Sequence, residues 1–221
     1  MRKKLTFFLC AFPILFLSLS SCSNDNGNDT NEYYNWETRN TEFFSNIRSL
    51  ALDSIYQAKT LYGTNWKKHC NWRTFLSYSM DSTITNEYTD SIYVQVIHAG
   101  TGMGCPLSTD SCRIYYRGTL IPTESYPQGY VFSHSGQSSN YDKVFDHKTA
   151  VPSLLRPSST IKGFGTALQN MHIGDVWRVY IPNQLAYSSS SSSSIPAYST
   201  LIFEIELISY YRRGAKVEPW N

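Results

Sequence analysis

The hydrophobic period of the sequence changes near residue 90, and this change restricts the fold more than any other feature. Before it, residues 33–60 place apolar side chains at steps of three and four, the spacing of one helix face. After it, four segments have the alternation or the apolar composition of β-strands: 91–98, 112–120, 176–181 and 200–210. The pattern predicts an α+β chain, with a helical N-terminal segment followed by a mostly antiparallel sheet.

Two helices are predicted from apolar spacing. The first has one stripe comprising Trp36, Asn40, Phe43/Phe44, Ile47, Leu50/Ala51 and Ile55, and it ends at Gly63. The second, over 160–171, places Ile161, Phe164, Ala167/Leu168 and Met171 on one face and ends before Gly174. Residues 65–80 fit neither period, and 121–160 are expected to be rich in loops. We expect 33–89 to pack as core; the alternative is an aromatic face that binds a partner.

The first residues resemble a bacterial lipoprotein signal. Arg2, Lys3 and Lys4 precede the apolar run Leu5–Leu19, and the run ends in a lipobox-like Leu-Ser-Ser-Cys at Cys22. The resemblance implies a signal peptide over 1–21, diacylation of Cys22 and a polar tether over 22–32, which would anchor the protein to the bacterial cell envelope by lipid. The alternative is an ordinary secreted protein in which Cys22 is incidental.

Charge and metal-ligand spacing exclude several classes of function. The formal net charge is +2, but the first 21 residues hold three of the 19 basic residues and no acid. The remainder is close to neutral and has no long basic run, so nucleic-acid binding is not expected. No Cys-x-x-Cys pair is present, and the five histidines lack metal-ligand spacing. We therefore expect neither a metal site nor a cofactor.

Three cysteines remain if Cys10 leaves with the signal peptide and Cys22 carries lipid: Cys70, Cys105 and Cys112. Cys105 and Cys112 flank a loop that contains proline and serine, and a disulfide between them would close a small ring. The alternative is three free thiols, because the geometry that a disulfide needs is not visible in a sequence.

Six short motifs, in order, resemble the FKBP-type peptidyl-prolyl cis-trans isomerases. They are Tyr116-Arg117-Gly118-Thr119-Leu120, Gly129-Tyr130-Val131-Phe132, Ile161-Lys162-Gly163-Phe164, Met171-His172-Ile173-Gly174-Asp175, Ile181-Pro182 with Leu185-Ala186-Tyr187, and Ile195-Pro196 leading into Ser199–Glu204. The resemblance covers about residues 91–210, which gives a family domain over 90–211 and a C-terminal tail over 212–221. It implies an FKBP-like half-wrapped antiparallel sheet, one short helix against its concave face, and an apolar pocket between them.

The resemblance also implies the site. Its catalytic residues would be Tyr116, Phe132, Tyr187, Ile195 and Phe203, and its substrate-binding residues Ile161, Phe164 and Ser133. Aromatic walls would hold the proline ring. In this assignment the backbone N–H of Ile195 would hold the substrate carbonyl, with the Tyr187 hydroxyl as a companion donor.

Three positions depart from the family pattern. The family usually has Phe-Asp where this chain has Phe132-Ser133, and a rival alignment that uses Phe145-Asp146 restores the acid at the cost of a longer insertion. Phe164 stands where a tryptophan is common. Seven serines at 188–194 replace a glycine and a mixed loop.

These observations support three functional hypotheses. The first is a prolyl isomerase that assists the folding of envelope or exported polypeptides and is inhibited by rapamycin-class macrolides, as the resemblance implies. The second is a catalytically weak module that only binds peptide or partner segments, and Ser133, Phe164 and the serine run favour it. The third is a structural lipoprotein whose N-terminal segment docks a partner while the family domain serves as scaffold.

Overall fold

The computed structural model describes residues 32–79, 88–136 and 150–220. The predicted signal segment, the predicted lipidation site Cys22, the tether up to residue 31 and the rival pair Phe145-Asp146 lie outside these residues. Within the described ranges, no helix combines the length and the apolar character needed to cross a membrane.

The predicted N-terminal helix is confirmed as α1, which runs from Trp36 to Tyr62. Gly63 follows with φ of 54°, a left-handed conformation that glycine adopts without a Cβ clash and that ends the helix. Its buried side chains are Trp36, Asn40, Phe44, Ala51, Ile55 and Ala58. Leu50, which the periodicity places on the same stripe, is 53% exposed, so that assignment is wrong. Because Trp36 and Phe44 are buried, they are not part of an exposed aromatic face.

Two polar contacts attach α1 to the chain just before the last strand. The Trp36 indole N–H donates to the Ser199 hydroxyl at 2.8 Å, and the Thr200 backbone N–H donates to Asn40 Oδ1 at 2.7 Å. Asn40 is fully buried, and these bonds explain why an amide can stand in an otherwise apolar stripe. The helix is therefore fixed in position as well as packed.

The described strands form one antiparallel sheet in the order β1-β2-β6-β7-β3-β4, with β5 also paired to β3. Their bounds are β1 Trp72–Leu76, β2 Ser91–His98, β3 Ser111–Thr119, β4 Val131–His134, β5 Ser153–Leu155, β6 Val176–Ile181 and β7 Leu201–Tyr211. The four strands predicted from the sequence correspond to β2, β3, β6 and β7. The short β4 and β5 lie in the segment that was expected to form loops.

Strand β1 comes from the segment that the sequence left ambiguous. A 3-10 helix, Gly63–Lys68, leads into it, and β1 then pairs with β2 from Trp72 opposite Gln95 to Leu76 opposite Ser91. Phe75 stacks on Trp177 of β6, with ring centroids 5.5 Å apart. The sheet thus extends across the predicted boundary at residue 90. The segment 33–89, predicted to be helical, contains a strand as well as a helix.

The second predicted helix is α2, Lys162–Leu168, and it is shorter than the expected 160–171. A 3-10 turn, Pro157–Ser159, precedes it. Gly163 brings α2 close to β6, because a Cβ at this position would lie 2.4 Å from Ile181 Cγ2. The predicted α+β class, with an antiparallel sheet, one short helix and a helical segment before them, is confirmed.

Candidate functional site

A cavity of about 610 Å³ opens between the sheet and the N-terminal end of α2. All eight side chains predicted to form the site line it: Tyr116, Phe132, Ser133, Ile161, Phe164, Tyr187, Ile195 and Phe203. Five further lining residues were not predicted: Leu155, Ser159, Thr160, Ser192 and Ser194. Three of these belong to the segment expected to form loops, and the two serines belong to a run whose members the sequence does not distinguish.

Four aromatic rings pack together in the cavity wall. Phe203 of β7 lies at the centre, with ring centroids 4.9 Å from Phe164 of α2 and 5.5 Å from Phe132 of β4. Tyr116 of β3 meets Phe164 at 6.0 Å. These three pairs have interplanar angles of 78–87°, the edge-to-face arrangement that aromatic quadrupoles favour. The wall is therefore closely packed, apolar and rich in π faces.

Gly118 has no side chain, and the rings of Phe203 and Phe132 occupy the volume beside it. It lies opposite Phe203 on β7 and opposite Ser133 on β4 in the register of the sheet. A Cβ at residue 118 would lie 2.6 Å from Phe203 Cε1 and 2.7 Å from Phe132 Cζ. The rings occupy the volume that any other residue's side chain would need, which explains the glycine of the Tyr-Arg-Gly motif.

Ser133 keeps a hydrogen bond at the position where the family pattern has aspartate. Its hydroxyl lies 2.9 Å from the Tyr116 hydroxyl, so the tyrosine is still oriented but by a neutral partner. Among the described residues that line the cavity, none has a carboxylate, an amine, a guanidinium or an imidazole. The site is therefore built from aromatic, aliphatic and hydroxyl groups.

The serine run forms one rim of the cavity, and one of its members makes a defined contact. The backbone N–H of Ile195 donates to the Ser192 hydroxyl at 3.2 Å, and the backbone N–H of Ser192 donates to the Ile195 carbonyl at 2.8 Å. In this structure the Ile195 N–H, predicted to hold a substrate carbonyl, is therefore engaged by Ser192. Tyr187, at the other end of the run, is 47% exposed at the rim.

Ile161 offers a different backbone donor. It immediately precedes α2 with extended dihedrals, φ −60° and ψ 151°, and it lines the cavity. Among the hydrogen bonds between described residues, none is donated by the Ile161 N–H. The sequence assigned this residue only an apolar wall contact, because a free backbone donor has no signature in residue types.

The three described cysteines, Cys70, Cys105 and Cys112, are free thiols, and the disulfide considered between Cys105 and Cys112 is not formed. Cys112 is fully buried on β3, and burial raises the pKa of its thiol to about 12. The Cys105 sulfur instead lies 3.8 Å from His172 Nε2. The described ranges contain no group of three or more His, Cys, Asp or Glu side chains arranged to hold a metal ion.

Comparison with known proteins finds matches to one family. A family model described as FKBP-type peptidyl-prolyl cis-trans isomerase matches residues 105–208. A Trypanosoma cruzi protein named macrophage infectivity potentiator is 32% identical over 146 residues, which is 66% of this chain and 65% of that protein. An Escherichia coli protein named FKBP-type 22 kDa peptidyl-prolyl cis-trans isomerase is 32% identical over 124 residues, or 56% of this chain and 52% of that one.

Two further similarities concern an envelope protein and a solved structure. A Legionella longbeachae protein named outer membrane protein MIP is 35% identical over 116 residues, or 52% of this chain and 42% of that one. A solved structure of a Pseudomonas syringae peptidyl-prolyl cis-trans isomerase shares 30% identity, covers 55% of this chain and 76% of its own, and has a TM-score of 0.43. The chain spans less than two thirds of the length of these three curated relatives.

Proposed function

We propose that this protein catalyses cis-trans exchange of X-Pro bonds in polypeptides, because residues 105–208 match the model of the FKBP-type peptidyl-prolyl cis-trans isomerase family. The observation that carries the proposal is the cavity, in which four aromatic rings and no ionisable acid or base other than tyrosine surround a space of about 610 Å³. Prolyl rotation requires no nucleophile and no metal, and this wall matches that requirement.

The chemistry follows from the polarity of the amide. Rotation about an X-Pro bond breaks amide resonance against a barrier of about 18–20 kcal/mol, and unassisted exchange takes tens of seconds or longer. The planar amide is more polar than the twisted one, so a dry apolar cavity stabilises the twisted form relative to the planar form. The aromatic wall holds the pyrrolidine ring while the preceding carbonyl turns.

Three polar groups supply orientation in this mechanism. The backbone N–H of Ile161 is the donor that we assign to a substrate carbonyl, in place of the Ile195 N–H that Ser192 occupies. The Tyr187 hydroxyl at the rim is the second donor. Tyr116, held by Ser133 at 2.9 Å, presents its ring to the cavity in a fixed orientation.

Exchange spectroscopy by NMR on a short proline-containing peptide tests the proposal. We expect the full chain to accelerate cis-trans exchange, and we expect Phe203→Leu and Tyr187→Phe to reduce the acceleration while the protein stays folded. Tyr126→Phe is the matched control, because Tyr126 is a partly exposed tyrosine outside the cavity. An unaltered exchange rate with the folded wild-type chain would refute the proposal.

A second candidate function is a binding module that holds proline segments without turning them over. The neutral Ser133 and the occupied Ile195 N–H favour it. The same NMR experiment separates the two functions, since binding alone shifts the peptide resonances and leaves the exchange rate unchanged. Ser133→Asp would then raise the exchange rate if the missing carboxylate is what limits turnover.

We further propose that the protein acts at the bacterial cell envelope as a lipoprotein. The lipobox-like sequence ending at Cys22 supports a lipid anchor, and a relative named as an outer membrane protein supports the location. Mass spectrometry of the N-terminal peptide from expressing bacteria tests it. A diacylated Cys22 is expected, whereas an unmodified mature N-terminus at another residue would contradict the anchor.

A further inference from the structure

A basic groove of about 690 Å³ lies between the C-terminal end of α1, the start of β1 and the end of β2. We define it by its lining residues: Ser54, Gln57, Ala58, Leu61, Tyr62, Lys67, Lys68, His69, Cys70, Asn71, Trp72, Arg73, Val96, Ile97 and Ala99. Three of these are lysine or arginine, and none is aspartate or glutamate. Outside the predicted signal peptide the chain is close to neutral, so the groove concentrates positive charge on one surface.

Arg73 contributes a charge that forms no ion pair with a described residue, and Asp175 is the carboxylate whose charge acts on it from a distance. Its guanidinium donates to three backbone carbonyls, those of Lys67 at 2.9 Å, Cys70 at 2.7 Å and Trp72 at 2.6 Å. No carboxylate in the described ranges lies within ion-pair distance of it, and burial lowers its pKa. A guanidinium has five N–H donors, so two remain for an anionic ligand.

Part of the lining of the basic groove is apolar. Leu61 is 73% exposed, Ile97 is 53% exposed, and Tyr62 stacks on His69 with ring centroids 3.8 Å apart. Exposed aliphatic side chains beside three basic residues, with no acid in the lining, favour an occupant that has both negative charge and apolar surface.

The outer edge of β1 adjoins this groove and offers backbone hydrogen bonds. The Val96 N–H donates to the Asn71 carbonyl at 2.7 Å, and the Ser77 N–H donates to the Asp90 carbonyl at 2.8 Å. In an antiparallel pair the inward-bonding residues alternate, so Thr74 and Leu76 direct their N–H and C=O groups away from β2. Strand β1 is the end of the described sheet, and an exposed edge of this kind accepts a further strand.

We propose that the basic groove and the outer edge of β1 together bind an extended polypeptide segment bearing acidic and apolar side chains. The outer edge of β1, which no described strand pairs with, favours a polypeptide over other anions, because only a polypeptide backbone matches the N–H and C=O groups of Thr74 and Leu76. The inference rests on the proposed function in one respect, that the protein's substrates are unfolded polypeptides. The groove shares no lining residue with the aromatic cavity, so one chain can engage both surfaces.

Fluorescence anisotropy tests the charge part of this inference. The probe is a labelled, proline-free decapeptide of alternating glutamate and valine, titrated with the full chain in a nonionic detergent. We expect binding that weakens as salt rises, and no binding of the peptide with lysine in place of glutamate. We expect Lys67→Glu/Lys68→Glu to weaken binding by about tenfold or more. The matched control Arg213→Glu/Lys216→Glu makes the same change in net charge outside the groove and leaves binding within about twofold.

The edge part has its own variants. Thr74→Pro removes an outward N–H without removing a bond to β2, so we expect it to weaken binding of the acidic peptide, whereas Thr74→Val leaves binding unchanged. Equal binding by both variants would overturn the strand addition. Groove-dependent binding of anionic phosphatidylglycerol micelles, with no binding of the peptide, would overturn the polypeptide as occupant.

Exchange of a short uncharged proline peptide is measured on the same variants. We expect the Lys67→Glu/Lys68→Glu chain to retain wild-type exchange while losing the acidic peptide. If the wild-type chain shows normal exchange but does not bind the acidic peptide, the groove proposal is overturned and the isomerase proposal stands. Binding of the acidic peptide without any exchange overturns the isomerase proposal and leaves the groove standing.

Discussion

Replacing Gly118 with alanine tests whether the aromatic wall is packed as tightly as the geometry indicates. The new methyl would lie 2.6 Å from Phe203 Cε1 and 2.7 Å from Phe132 Cζ, which is 0.8 and 0.7 Å inside the 3.4 Å at which ordinary contact begins. Overpacking of this kind costs about 1–3 kcal/mol in the free energy of unfolding. For a chain of this size, each kcal/mol lowers Tm by about 2–4 °C. Because misplacement by about 1 Å can cost about 100-fold in rate, we expect kcat/KM to fall by about 10- to 100-fold.

The assay combines urea unfolding with the NMR exchange measurement, and a double-mutant cycle identifies the contact. Phe132→Leu deletes the two Phe132 atoms that the methyl would meet, so the costs of Gly118→Ala and Phe132→Leu should fall short of additivity by about 0.5–3 kcal/mol. Phe75→Leu is the control, because Phe75 packs on Trp177 outside the cavity and should be additive. An unfolding free energy within about 0.5 kcal/mol of wild type, with normal exchange, would refute the reasoning.

Three further predictions concern hydrogen bonding and ionisation. Tyr116→Phe removes the partner of Ser133 and should lower the unfolding free energy by about 0.5–1.5 kcal/mol in urea titrations; no loss would mean that the bond is not formed in solution. Burial raises the pKa of the Cys112 thiol from 9.0 to about 12, so its contribution to stability is complete below about pH 9 and is lost as pH rises from 9 towards 12. Between pH 8 and pH 10, wild type should therefore lose about 1.4 kcal/mol more than Cys112→Ala, and equal losses would contradict this. Ser192→Ala should lower KM more than it changes kcat, because it releases the Ile195 N–H to donate to a substrate carbonyl at the rim. Ser191 does not line the cavity, so Ser191→Ala should leave both constants unchanged.

Periodicity was sufficient to identify most of the fold. Strand β2 was predicted with its observed bounds, and α1 was predicted to within three residues, since long regular patterns reflect which face is buried. Strand β1 was missed because its five residues are too few to establish a period and its partner lies beyond a segment with no clear pattern. The two short strands beside β3 were missed for the same reason.

Motifs placed the side chains of the cavity correctly but not its hydrogen bonds. The rings of Phe132, Phe164 and Phe203 meet because strand register and helix placement follow from side chains that the sequence shows. The bond from the Ile195 N–H to Ser192 could not be predicted, because backbone N–H groups are present in every residue except proline, and only tertiary structure shows which one is occupied. The same limit applied to the Cys105–Cys112 pairing, which depends on the distance and direction of the two side chains.

The contact between Ser192 and Ile195 has a consequence for variation among alleles of this gene. Runs of one repeated residue gain and lose members easily, and such a change in a binding loop would ordinarily move a contact residue out of place. Here the hydroxyl that accepts from the Ile195 N–H belongs to the residue three places before Ile195. That residue is still a serine after the run gains or loses one or two members. The repeat thus makes the contact redundant: if the run loses one or two serines, another serine takes the position of Ser192 and can form the same hydrogen bond with Ile195.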